Sequence, residues 1–282
     1  MGKGLLPLYP IFAKAMANAE EEFLRLGADW RLIEELGKPK SRSSVNKAWL
    51  SQPSCTAIQI ALVDLLESWG IRPEVVCGHS SGEIGAAYAA GILSARDALK
   101  VAYYRGVAVV NLKKSFPDLS GTMLAVGLSE NDVQKYTNGF KKEVVVACIN
   151  SPTTITLSGD TPAIKQVQQH LEADGVFNRA LEVDVAYHSH HMKLVQSAYI
   201  SAVSDIKPQS AKNGVRLVSS VTGQLANGKE MDADYWARNL ISRVRFPDAL
   251  MGCLTLQKGG LGKLDKTIQT TSLVIEIGPH AA

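Results

Sequence analysis

Apolar residues recur every three to four positions over Tyr9–Leu26, and again over Ser54–Trp69 through Ile58, Ala61, Leu62, Leu65, Leu66 and Trp69. That spacing predicts two amphipathic helices. A short helix over Trp30–Leu36 follows the first, and the polar, basic stretch Gly37–Asn46 reads as a surface loop. Gly70 ends the second long helix, and Pro73 follows as expected past a C-cap. The apolar run Glu74–Cys77 predicts a strand. The small-residue stretch Glu83–Ala90, stopped by Gly91, predicts a helix behind it. Ser94-Ala95-Arg96-Asp97 is a capping-box-like start for a helix running to about Leu112.

The texture changes near Gly121. Thr122–Leu128 reads as a strand, and a helix starting at Ser129-x-x-Asp132 gives out at Asn138-Gly139. Strands follow over Val144–Ile149 and Thr154–Ser158, with a turn at Asn150-Ser151-Pro152 between them. Thr161-Pro162 is a helix N-cap with proline at N1, opening a helix to Asp174 with Gly175 just past its end. Ala180–Val185 reads as a last strand. The order β-α-β-β-α-β over about 65 residues is the split-βαβ pattern. Residues 121–187 therefore read as a small subdomain inserted into a larger α/β body made of 1–120 and 188–282. The body resumes with a helix near His190–Ser204, a strand Val215–Ser220, a helix Tyr235–Ile241 and a final strand Ser272–Ile277. No internal repeat is present.

Composition narrows the class. The 282 residues are 20% charged and 46% hydrophobic, ordinary for a globular chain able to bury a large core. The net charge of +3 and the absence of a dense Lys/Arg run leave no nucleic-acid footprint. Cys55, Cys77, Cys148 and Cys253 are scattered with no C-x-x-C pair, so reduced thiols are expected. No stretch of 18 apolar residues exists and the N-terminus lacks a secretory apolar region. The expectation is a cytoplasmic protein without disulfides and without membrane or nucleic-acid partners.

Candidate chemistry centres on Ser80 in Gly78-His79-Ser80-Ser81-Gly82, between the predicted strand and the predicted helix. A serine at such an elbow is held on a strained turn with its hydroxyl exposed, and glycines flank it where helix and strand pass closely. The alternative is a purely structural turn. A nucleophilic serine needs a base. His188, at the hand-back from subdomain to body, is the first candidate, with His79 and His280 as others; spacing does not choose among them. His188-x-His190-His191 has the outline of a metal site. On a helix, however, 190 and 191 diverge by about 100°, and no convincing fourth ligand is apparent, so no metal is expected. Arg105 is the second informative residue. Its helical neighbours Val101, Ala102, Ala108 and Val109 are all apolar, and a guanidinium on such a face needs an anion. That anion is either an internal Asp or Glu, or a substrate carboxylate held in its fork.

Several separated motifs occur in register: Gly78-His79-Ser80-Ser81-Gly82-Glu83, Arg105, Val185-Ala186-Tyr187-His188-Ser189, Trp236-Ala237-Arg238-Asn239-Leu240 with Val244-Arg245-Phe246, and Glu276-Ile277-Gly278-Pro279-His280. Together they resemble the malonyl-CoA:acyl-carrier-protein transacylase domain of fungal iterative type I polyketide synthases, over essentially the whole chain. The resemblance implies an α/β-hydrolase-like body with an inserted ferredoxin-like subdomain. It implies Ser80 as acylated nucleophile, His188 as general base, a backbone carbonyl of Asn239 orienting that histidine, and the Ser81 N–H as an oxyanion donor. Arg105 would clamp a malonyl carboxylate, Tyr187 would crowd an α-methyl branch, and His79 would line the substrate. It implies no bound cofactor: malonyl-CoA is the substrate, and the partners are the phosphopantetheine thiol of an acyl carrier protein and neighbouring synthase domains. Three departures stand out. The family's opening Gly-Gln-Gly strand would precede Met1, so the chain reads as truncated at both ends. Arg243 replaces a usual proline. Gly259-Gly260-Leu261-Gly262-Lys263 replaces a compact link. A serine hydrolase or thioesterase, or a non-catalytic remnant, remains the competing expectation.

Overall fold

The computed structural model describes residues 2–183, 185–256 and 273–279. The first part of the chain is helical: α1 (Pro10–Arg25), α2 (Leu32–Gly37) and α3 (Ala48–Ser68) lead into β1 (Val75–Val76), α4 (Gly82–Ala89) and α5 (Ala95–Ser115). α3 begins six residues earlier than its periodicity suggests. Pro53 lies inside it, and within the first turns it withdraws only the N–H that would have reached the Trp49 carbonyl. α1, α3, α4 and α5 pack together around Phe12, Met16, Phe23, Ile58, Ala61, Ile84, Ala87, Leu99 and Val109, all buried.

The next stretch holds β2 (Gly121–Val126), α6 (Gln134–Thr137), β3 (Val144–Ser151), β4 (Thr154–Asp160), α7 (Thr161–Ala173) and β5 (Asn178–Ala180). The ladders β2–β4, β2–β5 and β3–β4 are all antiparallel, in the spatial order β5-β2-β4-β3. Thus β2 and β3 run the same way with β4 between them. Side chains alternate across this sheet as strand geometry requires. Leu124, Val126, Ile155 and Leu157 meet Ile164, Val167 and Leu171 of α7 in a separate small core. Met123, Ala147 and Cys148 instead join the core of the body.

The remainder comprises α8 (His190–Lys193), α9 (Gln196–Ala202), β6 (Arg216–Leu217), α10 (Ala233–Ile241), β7 (Val244–Arg245) and α11 (Phe246–Thr255). β6 pairs with β1 in parallel, and β7 adds to the other sheet as a parallel neighbour of β3. That fifth strand ties the body to the small core.

Several expectations shift. The strand expected over Ala180–Val185 is β5, ending at Ala180. Ala180 faces Leu124 of β2, and after one further bond, from the Leu181 N–H to the Met123 carbonyl at 3.0 Å, the chain leaves the sheet and carries residues 185–191 toward the elbow. The helix expected from Ser129 shrinks at its start: α6 begins only at Gln134 and passes into a 3-10 turn over Asn138–Phe140, while the cap from the Asp132 N–H to Ser129 Oγ still forms at 3.2 Å. The helix over His190–Ser204 is divided into α8 and α9. β7 and α11 were not foreseen, since two residues are too few to show a period and α11 follows β7 with no residue between them. Residues 273–277 of the expected last strand form no ladder among the described residues. Ser272, the 259–263 run and His280 lie outside the described residues. Among the described residues, no helix is long and apolar enough to cross a membrane.

The elbow between β1 and α4 decides where the chemistry sits. Ser80 has φ 52°, in the left-handed region that non-glycine residues enter at a cost. A Cβ on Gly78 would lie 2.2 Å from the Glu83 backbone nitrogen, so strand and helix touch there. A Cβ on Gly82 would meet only Gln59 Nε2, at 3.5 Å. Glycine is therefore demanded at 78 and not at 82. Gly78→Ala is expected to destabilise the chain by on the order of 3 kcal/mol. Gly82→Ala is expected to stay within about 1 kcal/mol of the wild type, on the stabilising side. Denaturant midpoints of the two variants check this, and equal losses would overturn the asymmetry.

Candidate active site

Ser80 is half-buried above β1, at the start of α4. Its Oγ lies 2.7 Å from His188 Nε2. His188 has φ 57°, is 4% exposed, and its backbone N–H donates to the Leu240 carbonyl at 3.3 Å. The nucleophile and base candidates thus meet across 108 residues, each held by a left-handed backbone that its surroundings must enforce. His188 Nδ1 lies 2.8 Å from the Ser242 carbonyl oxygen. A carbonyl only accepts, so Nδ1 carries the proton and Nε2 presents its lone pair to the Ser80 hydroxyl. Burial, reinforced by the nearby Arg105 charge, pushes the imidazole down to about 3, partly offset by the Ser242 bond. The ring is neutral at neutral pH.

The orienting carbonyl is that of Ser242, not Asn239 as the family pattern suggested. Ser242 is the extended C-cap of α10 (ψ 155°), so its carbonyl turns out of the helix toward the ring. Asn239 is still in the site, through its side chain. Its Nδ2 donates to the Ser80 carbonyl at 3.1 Å and to Glu83 Oε2 at 2.8 Å. Its Oδ1 accepts from Arg105 Nη1 at 2.9 Å.

Arg105, on α5, is 1% exposed. Its Nη2 donates to Ser80 Oγ at 3.3 Å, and its guanidinium lies 6.0 Å from the Tyr187 ring centre. Among the described residues it makes no ion pair, and its Nε is buried with no hydrogen-bond partner. Burial drives the guanidinium downward from its ordinary value, while an arginine remains charged under any ordinary condition. Of the two anions that the sequence allows for Arg105, an internal carboxylate in direct contact is absent among the described residues.

Glu83, the last residue of the elbow motif, is fully buried. Every group facing it is a donor: Tyr235 Oη at 2.5 Å, Ser220 Oγ at 3.0 Å, Ser220 N–H at 3.2 Å and Asn239 Nδ2. Burial pushes its carboxyl up, and the bonds from Tyr235, Ser220 and Asn239 pull it back. An all-donor shell suits a carboxylate, which only accepts. Nothing in the apolar periodicity revealed this role, although Glu83 stood in the motif.

The other expected residues are near but differently engaged. Ser81 is the N-cap of α4, placing its backbone beside Ser80 at the helix start, where N–H groups favour negative charge. Tyr187 is 9% exposed, with its hydroxyl 3.5 Å from Gln52 Nε2; Gln52 on α3 was not anticipated. His79 stands exposed at the rim, Nε2 2.9 Å from Asn150 Oδ1 and edge-on to Phe246 at 5.2 Å. It makes no hydrogen bond to Ser80, which leaves His188 as the base candidate among the described histidines. The outline His188-x-His190-His191 separates: His188 faces Ser80, whereas His190 and His191 both face Asp160.

Removal of the Glu83 carboxylate tests how far the cluster depends on it. Glu83→Ala is expected to cost about 3 kcal/mol or more, because several buried donors lose an acceptor together. Glu83→Gln, which keeps one acceptor oxygen, is expected to cost less. Chemical denaturation measures both, and an alanine variant within about 1 kcal/mol of wild type would contradict the assignment.

Comparison with known proteins gives the family. The family model described as "Acyl transferase domain" matches residues 1–281. A highly reducing polyketide synthase of Aspergillus luteorubrus (ltbA) is 46% identical over 283 residues, covering 100% of this chain and 9% of that synthase. A highly reducing synthase of Aureobasidium melanogenum is 44% identical, with 100% of this chain and 12% of that protein covered. The chain thus spans about a tenth of the length of these curated relatives. Among solved structures, a loading acyltransferase from the avermectin modular polyketide synthase is similar at TM-score 0.81 and 30% identity, over 88% of this chain and 77% of that one. The acyltransferase domain from module 8 of the salinomycin synthase is similar at TM-score 0.79 and 32% identity, over 87% and 56%. With its elbow serine, buried histidine and mixed α/β architecture, the chain belongs to the acyl transferase domain family, and fungal highly reducing polyketide synthases are among its relatives.

Proposed function

We propose that this chain moves a malonyl unit from malonyl-CoA, through an ester on Ser80, to the phosphopantetheine thiol of an acyl carrier protein during polyketide assembly in the cytoplasm. The supporting observation is Arg105: a buried guanidinium 3.3 Å from the nucleophile candidate, without an ion pair among the described residues and with Nε unpartnered. A malonyl group attached at Ser80 would place its free carboxylate against that fork, where charge-assisted bidentate bonds are strong. A thioesterase acting on neutral acyl chains has no use for such a charge.

The steps follow from the hydrogen bonds. His188 Nε2 takes the Ser80 proton as Oγ attacks the thioester carbonyl. The oxyanion forms beside the Ser81 N–H at the start of α4. As the tetrahedral intermediate collapses, the carbon–sulfur bond breaks and the imidazolium returns its proton to the departing coenzyme A thiol. In the second half, His188 takes the carrier thiol's proton, sulfur attacks the malonyl ester, and the proton goes back to Ser80. The Ser242 carbonyl stabilises the imidazolium where other hydrolytic sites use a carboxylate. Tyr187, held between Gln52 and Arg105, narrows the acyl pocket against an α-methyl branch, a discrimination of about 1–3 kcal/mol. His79 lines the entrance.

On this reading the fold is an α/β-hydrolase-like body, residues 1–120 and 188–282, carrying a ferredoxin-like subdomain over 121–187. The strand order β5-β2-β4-β3 and the separate small core support it. The partners are a carrier-protein domain and the neighbouring synthase domains. No cofactor need be resident.

Intact-protein mass after incubation with malonyl-CoA is the first test. The wild type is expected to gain one malonyl group and Ser80→Ala none. Arg105→Ala is expected to lower malonyl loading about a hundredfold while leaving acetyl loading within a few-fold. Equal loss of both acyl groups would remove the carboxylate role, and labelling of Ser80→Ala would remove the nucleophile.

A further inference from the structure

Away from the acyl-transfer chemistry, a second set of groups converges. Asp160 Oδ1 lies 3.1 Å from His190 Nε2 and 2.5 Å from His191 Nε2. All three ligand atoms fall within 4.8 Å of one another. We propose that Asp160, His190 and His191 bind one divalent transition-metal ion of the zinc or cobalt class.

Asp160 occupies the N-cap of α7, where an aspartate normally accepts a backbone N–H of the first turn for about 1 kcal/mol. Here its side chain makes no cap bond and is turned onto the two imidazoles. The chain thus forgoes a local stabilisation to place a carboxylate where two imidazole nitrogens meet. His190 has no other polar anchor, since its Nδ1 is buried without a partner. Two imidazoles and one carboxylate are the donor set of many zinc sites. Bonds of about 2.0–2.1 Å around a tetrahedral ion set ligand atoms roughly 3.3 Å apart. The His190–Asp160 separation is already close to that, and the shorter His191 contact opens as the ion enters between the groups. Each imidazole then binds as the neutral Nδ1–H tautomer, using the Nε2 lone pair.

Position gives the site its consequence. His191 is 1% exposed, whereas the His190 and Asp160 side chains are 37% and 33% exposed, so one side faces solvent and leaves room for a water ligand. The ligands come from the β4–α7 junction and from α8. An ion would cross-link the small core to the segment that begins with His188, whose Ser189 Oγ caps the His191 N–H at 3.2 Å. His188 itself is excluded, its two nitrogens being engaged by Ser80 and Ser242. This inference is independent of the acyl group carried.

The test uses the full chain without an affinity tag, stripped by chelator and titrated with Co2+ alone, then with Zn2+ as competitor. One equivalent is expected to bind, with the visible absorption of low-coordinate cobalt, and Zn2+ is expected to displace it and raise the melting temperature. His190→Ala, at a partly exposed position, and Asp160→Asn are each expected to weaken binding by roughly tenfold or more. His170→Ala, on α7 and outside the cluster, is expected to bind as the wild type does. X-ray absorption of the zinc-loaded wild type reads the ligands without any variant, and two imidazole nitrogens are expected. Substoichiometric binding, unchanged affinity in both cluster variants, or fewer than two imidazoles would overturn the site.

Discussion

A single buried charge organises the centre of this molecule. Arg105 projects from α5 into a fully enclosed position, where an isolated ion is costly, and among the described residues no carboxylate touches it. Its balance comes at one remove. The Asn239 amide accepts from Arg105 on one side and donates to the buried Glu83 on the other. An amide has one accepting and one donating end, so the two charges fix which way it points. That orientation directs Nδ2 also at the Ser80 carbonyl, steadying the strained elbow. Glu83 in turn gathers Tyr235 and Ser220, and Ser220 accepts from the Arg245 N–H through its own carbonyl at 2.7 Å. The arginine, the elbow, α10 and β7 are therefore parts of one hydrogen-bonded unit.

That unit explains how two cores meet at one site. β7 joins the sheet of the small core alongside β3, and it begins two residues after Ser242, whose carbonyl accepts from His188. His188 arrives from the opposite direction, on the segment that leaves β5. The two left-handed residues, Ser80 and His188, sit where these routes cross. Neither backbone would persist in an isolated peptide. Each is held because hydrogen bonds from another part of the chain over-determine it.

What was legible in the sequence follows from the range of the forces involved. Helices α1, α3, α4 and α5 carry their own periodicity, so their existence could be read directly, with ends displaced by about a turn or less except at the start of α3, six residues early. The elbow was legible because Gly78 answers a contact five residues away. The choice of His188 over His79 was not in the spacing, since it depends on a turn 54 residues further on that brings up Ser242. The assignment of the orienting carbonyl to Asn239 failed for a related reason. A motif marks the helix, whereas the cap one residue beyond its end decides which carbonyl is free. Asp160 was invisible as a neighbour of His190 and His191 because the pairing of β4 with β2, a property of the whole sheet, places it there. Two-residue strands such as β7 have no pattern to read.

Two unsatisfied polar groups lie close to the site. A folded chain seldom leaves a buried donor or acceptor unpaired, because each costs about 1–3 kcal/mol. Here Arg105 Nε and Gln52 Oε1 are both buried and unpartnered, and both side chains flank Tyr187. Arg105 also reaches Ser80, so unmet hydrogen-bonding capacity gathers on one side of the site. For Arg105 the missing partner must be an acceptor, and the strongest acceptor for a guanidinium is a carboxylate. Burial first, and that same positive charge second, keep His188 neutral with its Nε2 facing the serine hydroxyl. Arg105 thus adds one buried positive charge to the surroundings of both the Ser80 hydroxyl and the His188 ring.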